Sequence, residues 1–131
     1  MTNTTEERKE RRKLLVKALR SGRYKQGKHH LRDKDEYCCL GVACDVYANS
    51  QYDRPQWKFT KTIGTFLGQD LMLPPEVRDW FGFKSNQGSY KQRSSIEASL
   101  IILNDNRPFN FEDIADVIEK EPKGMFIDDK D

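Results

Sequence analysis

Between Arg23 and Arg32 the chain gathers side chains that suit a phosphorylated, flat ligand. Four cations (Arg23, Lys25, Lys28, Arg32), one ring (Tyr24), one amide (Gln26), one glycine (Gly27) and two adjacent histidines (His29, His30) fall within ten residues. A guanidinium holds two phosphate oxygens at once through its planar fork. A base stacked on an aromatic ring or an arginine plane gains about 1–3 kcal/mol. Arg23, Lys25 and Arg32 are therefore candidate phosphate ligands, Tyr24 and His30 candidate stacking groups, and Gln26 a candidate reader of a base edge. A solvated hairpin accounts for the same residues without a ligand.

Two further segments offer similar chemistry. Trp57 and Tyr90 lie in polar stretches, where a ring is free to stack on a base or meet a subunit. Asn104, in the run Leu103-Asn104-Asp105-Asn106-Arg107, is a second candidate edge reader, while Asp105 is expected to close a turn.

The cysteines permit a different reading. Cys38, Cys39 and Cys44 follow the basic run at once. A thiol at a helix N-terminus ionises easily and becomes a nucleophile. Cys38 or Cys39 would need His29 or His30 as base, with Asn104 or Asp105 orienting it. The papain-like order is impossible, because no histidine follows residue 30. The apolar context LGVAC favours plain burial of the thiols. No metal site is expected, since the spacing lacks C-x-x-C or H-x-x-x-H, and no cofactor is expected.

The elements that must position these residues follow from local signals. Thr4, with Glu6 and Glu7 behind it, opens a basic helix over about 5–21 that stops at Gly22. Leu15 and Leu19, flanked by Leu14 and Ala18, form its apolar stripe. Lys25 to Tyr37 reads as a hairpin, with a bend at Gly27 and a polar turn at 33–36. Leu40, Ala43, Val46 and Tyr47 recur at helical spacing and predict a helix to Ala48. A short strand is expected over 57–60, a short helix from Pro75 to Gly82, and a loop over 84–93. Ser94-Ser95-Ile96-Glu97 matches a capping box for a helix through Leu103. A last helix spans Asn110 to Glu119, with Phe111, Ile114, Val117 and Ile118 on one face. The sum is an α+β fold, with about five helices and a small antiparallel hairpin or sheet in a single compact domain. Residues 23–120 form its core and the acidic tail 128–131 is frayed.

At 131 residues, with 36% hydrophobic and 34% charged, the chain has room for one core. Charge is unevenly spread. Residues 5–34 hold 12 Lys/Arg against 4 Asp/Glu, and residues 112–131 hold 3 Lys against 8 Asp/Glu. Such a chain can pair head-to-tail with a copy of itself, or use its basic helix, residues 6–20, against a host protein. Double-stranded DNA is not an expected partner, because no helix-turn-helix, zinc finger or basic-zipper pattern is present and net charge is only +2. No apolar run is long enough for a bilayer, MTNTTEERKERR is no signal peptide, and three cysteines without a pairing pattern suit a reducing compartment. A cytoplasmic protein without a membrane partner is expected.

Four segments in order, ALRSGRYKQGKHHLR, EYCCLGVACDVY, LPPEVRDWFGF and LNDNRPFNFEDIADVIE, resemble a widespread family of small bacteriophage proteins. The resemblance covers residues 14–126. It is similar to the phage immune-evasion sponges that bind the cyclic dinucleotide signals of bacterial CBASS defence without cleaving them. It implies a viral, non-enzymatic homo-oligomer in the host cytoplasm, with a cyclic nucleotide as its partner. The matching positions are the Arg23–Arg32 cluster. The roles given to Tyr24, Lys25, Gln26, His30, Arg32, Trp57 and Asn104 rest on their own chemistry.

Overall fold

Reciprocal capping fixes both ends of the helical layer in a computed structural model, which describes residues 3–92, 97–106 and 109–128. At the start of α1 (Thr5–Arg20), the Thr4 hydroxyl accepts from the Glu7 N–H at 3.2 Å, and the Glu7 carboxylate accepts from the Thr4 N–H at 2.9 Å. Asn110 and Asp113 repeat the arrangement at α5 (Phe111–Glu119). α1 and α5 pack on each other. The buried face of α1 is Arg12, Leu15, Val16 and Leu19, at the spacing of one helical face, with Ala18 beside it. Leu14, expected on the stripe, is 48% exposed. The face runs through Arg12 instead, which the sequence reads as surface.

α2 (Cys39–Ser50) passes through the centre, with Leu40, Val42, Ala43 and Cys44 sealed from solvent. Gly41 makes this possible. A Cβ there would lie 1.8 Å from the Leu31 carbonyl oxygen, so only glycine lets the helix meet the chain at Leu31. α3 (Pro75–Phe81) starts on Pro74-Pro75 and stops at Gly82, whose φ of 85° is the left-handed cap conformation.

The main sheet has the order β1 (Lys25–Gln26), β3 (Glu36–Tyr37), β2 (Arg32–Asp33), β5 (Ile63–Thr65), β4 (Lys58–Thr60). β2 and β3 form the expected antiparallel hairpin about Lys34 and Asp35. β1 pairs with β3 in parallel, so the sheet is mixed rather than purely antiparallel. The bend expected at Gly27 falls at His29, with φ 76°. Gly27 supplies clearance instead, since a Cβ would sit 2.9 Å from the Glu36 Cβ.

The stretch expected as a loop over 84–93 contains β6 (Ser89–Lys91), paired with β7 (Glu97–Ser99). The helix expected from Ser94 is therefore displaced. Residues 93–96 lie outside the described residues, Glu97 is extended, and α4 (Leu100–Asp105) takes Ser99 as its cap, with the hydroxyl accepting from the Ile102 N–H at 3.2 Å. Strand pairing overrides the local cap signal. Among the described residues the fold is α+β, five helices with a mixed sheet and a small hairpin in one compact domain. Phe66, Phe81, Phe83, Ile114, Met125 and Phe126 fill its core, and no described helix is long and apolar enough to cross a membrane.

Candidate functional site

The strand register assembles a row of side chains that sequence spacing alone leaves scattered. Gln26 stands opposite Tyr37, Tyr37 opposite Arg32, Arg32 opposite Gly64, and Gly64 opposite Phe59. Residues opposite one another share a face. The guanidinium of Arg32 lies over three rings, 4.7 Å from the Tyr37 centroid, 4.9 Å from Phe59 and 5.5 Å from Trp57. Such contacts are each worth about 0.5–1 kcal/mol when exposed. Gly64 leaves space in the middle, where a Cβ would be 3.1 Å from Trp57 and 3.2 Å from Phe59. Arg32 Nε donates to the Lys34 carbonyl at 2.8 Å. Its terminal nitrogens make no hydrogen bond among the described residues.

The rings extend the row at both ends. Tyr24 packs edge-on against Tyr37 at 5.0 Å, and Tyr37 edge-on against Trp57 at 5.9 Å. The Tyr24 hydroxyl donates to Asp45 Oδ2 at 2.6 Å, and the Trp57 indole N–H donates to Asp45 Oδ1 at 3.2 Å. Burial, followed by the Asp45 carboxylate, keeps the Tyr24 phenol protonated well above its ordinary range. Tyr24, Arg32 and Trp57 are thus brought together, with Gln26 next in the row. Tyr37, Phe59 and Asp45 are the members that sequence reasoning misses. The alternations Tyr24/Gln26 and Trp57/Phe59 are legible as period-two pairs, but nothing local says that β1 and β4 flank one sheet.

The other expected residues stand elsewhere. Lys25 alternates to the opposite face and pairs with Glu36 at 3.5 Å. Arg23 is exposed at the approach to β1. His30 turns toward Asp70, 4.0 Å away, and its Nδ1 is buried without a hydrogen bond among the described residues. Asn104 is only 1% exposed. Its Oδ1 accepts from the Cys39 N–H at 3.1 Å and Gln26 Nε2 at 3.0 Å, and its Nδ2 donates to the Gly27 carbonyl at 2.8 Å and Asp105 Oδ1 at 3.2 Å. That amide is saturated and serves as a clamp under the row, not as an edge reader. Tyr90, expected in a mobile polar segment, is 7% exposed on β6.

The thiols are buried. The N–H groups of Leu40 and Gly41 favour a thiolate at Cys38, as a helix N-terminus should, but burial outweighs them and pushes that thiol up to about 11. Burial raises Cys39 and Cys44 well above the ordinary thiol value too.

Part of the charge asymmetry is neutralised within the chain. Arg12, 4% exposed, holds both carboxylate oxygens of Asp128, at 3.1 and 2.8 Å, together with Glu121 and the Phe81 carbonyl. Arg20 bridges Glu112, Asp116 and Glu119 of α5. Asp128, expected at the start of a frayed tail, is pinned with its side chain 7% exposed, while residues 129–131 lie outside the described residues. Two clefts, of about 740 and 870 Å³, run along α1. Besides Arg12, Arg20 and their carboxylates they are lined by Glu6, Lys9 and Lys17, and they stand apart from the Arg32 row. The row is a face of the sheet rather than a cavity.

Neither the curated proteins nor the solved structures contain a match to this chain. A family model described as a domain of unknown function, DUF8296, matches residues 7–122, which include the whole row and every helix but the first residues of α1, and the chain belongs to that family.

Proposed function

We propose that this protein captures a small cyclic nucleotide signal on the Arg32 face and holds it without cleaving it. The observation that carries the reading is the state of Arg32. It is stacked on three rings, anchored through Nε, and left with its two terminal nitrogens to offer a phosphate. Phe59, 46% exposed at the end of the same row, offers a ring to a base. Cyclic di- and trinucleotides combine those two demands in one small anion. In this reading the protein is a phage immune-evasion sponge like those it resembles, a homo-oligomer working in the host cytoplasm.

The competing readings draw less support. Buried thiols with raised pKa values are poor nucleophiles. Arg12 and Arg20 of the basic helix bond to the chain's own carboxylates, which weakens the case for α1 as a host-binding surface.

The test is calorimetric titration with cyclic di-GMP, cyclic GMP–AMP and cyclic tri-AMP, followed by chromatography of the recovered nucleotide. Tight binding with intact nucleotide is expected for at least one. Arg32→Ala should weaken it by about 1.5–3 kcal/mol, the worth of a charged hydrogen bond. Arg32→Lys should rescue only part, since the fork is lost. Unchanged affinity in Arg32→Ala, or a cleaved product, sinks the proposal.

A further inference from the structure

Among the described residues Asp45 is the one carboxylate that bonds to both Tyr24 and Trp57. It sits on α2, half-buried, and takes no direct part in the stack. Its two oxygens receive the Tyr24 hydroxyl at 2.6 Å and the Trp57 indole N–H at 3.2 Å. Those donors lie on opposite sides of the sheet order, one leading into β1 and the other into β4. Asn49, one helical turn on, adds a long contact at 3.5 Å. The rings keep apolar neighbours without Asp45, Tyr37 for Tyr24 and Phe66 for Trp57. The carboxylate adds a directional hydrogen bond to each ring.

We infer that Asp45 is a positioning residue for ligand capture, holding Tyr24 and Trp57 as a pre-set frame around Arg32. This rests on the nucleotide reading of that face. A carboxylate close to a site for an anion opposes the ligand by charge. Its presence there is accounted for by what it orders: two ring orientations settled before the ligand arrives, so their rotamer freedom is not lost on binding. An amide in its place has one acceptor and one donor group. It can still accept from the Trp57 N–H and donate to the Tyr24 hydroxyl oxygen, so the substitution that releases both rings is alanine, which has neither group.

The sign of one substitution separates positioning from plain electrostatics. Asp45→Ala removes a negative charge together with both acceptors, so charge alone predicts equal or tighter binding of cyclic di-GMP, cyclic GMP–AMP or cyclic tri-AMP. Positioning predicts binding weaker by about tenfold, the scale of re-ordering two side chains. A second readout is independent of ligand. The chain has two tryptophans, so nuclear magnetic resonance shows two indole N–H peaks. In Asp45→Ala the Trp57 peak should move while that of Trp80 stays, which general destabilisation does not produce. If Asp45→Ala fails to fold, Tyr24→Phe takes its place: it deletes one donor and keeps the ring, and it should weaken binding and move the Trp57 peak. Equal or tighter binding with the Trp57 peak unmoved overturns the inference alone. Wild-type protein that binds none of the three nucleotides overturns the site reading and this inference with it.

Discussion

Replacing Arg12 with methionine tests whether the buried ion pair, rather than the apolar stripe alone, holds α1 in place. Methionine keeps the aliphatic stem and removes the guanidinium. It leaves the Asp128 carboxylate, 7% exposed, with Arg8 at 3.8 Å as its remaining cation. It also strips a donor from the Phe81 carbonyl and the cation 4.0 Å from the Phe126 ring. Breaking a buried pair by removing one member costs about 3–5 kcal/mol, and the nearby Arg8 favours the lower part of that range. Urea unfolding followed by circular dichroism at neutral pH should report that loss, with Tm lower by about 10–20 °C. The pH dependence gives the mechanism. In the wild type the Arg12 guanidinium holds the Asp128 carboxyl below its usual range. That contribution is complete above the unfolded value of about 3.9 and is lost as pH falls through the lower folded value. In Arg12→Met the sign reverses, because burial without the guanidinium raises the carboxyl, so the deficit should shrink as pH falls from neutral toward 4. Arg12→Met/Asp128→Leu should recover half of the loss or more. A single-variant cost under about 1 kcal/mol, or a double variant worse than the single one, refutes the orphaned-charge argument.

Two further outcomes follow from the packing. Gly41→Ala places a Cβ against the Leu31 carbonyl and should cost at least about 3 kcal/mol, read as loss of soluble, cooperatively unfolding protein. The three cysteines should resist a thiol reagent in the native state at pH 8 and react together once the chain is unfolded in urea; a fast-reacting native thiol would reopen the nucleophile reading.

Local chemistry was the legible part of this fold. The Thr4 cap, the proline start and glycine stop of α3, and the Lys34–Asp35 turn all depend on neighbours a few positions away, and each is found where spacing predicts it. What depends on distant partners was not legible. Arg12 is charged, so it reads as surface, and only carboxylates about a hundred residues on make its burial tolerable. β6 and β7 are three residues each and too polar to signal a strand. The candidate site divides in the same way. The sequence locates Tyr24, Gln26, Arg32 and Trp57 by type, but the parallel pairing of β1 with β3 and the joining of β2 to β5 decide which of them meet. Those pairings also bring in Tyr37 and Phe59, Asp45 joins from α2 through Tyr24 and Trp57, and His30 is left outside.

The Asn104 clamp couples the platform to the rest of the domain in time as well as in space. Its partners at Gly27 and Cys39 lie 77 and 65 positions away along the chain. Docking of α4 therefore completes the hydrogen bonds at the β1 end of the row, and any opening that lifts α4 withdraws the support for Gln26 at the same moment. Linkage runs both ways. A nucleotide seated on the row would select molecules in which α4 is closed, and it would slow amide exchange in a helix that it never touches.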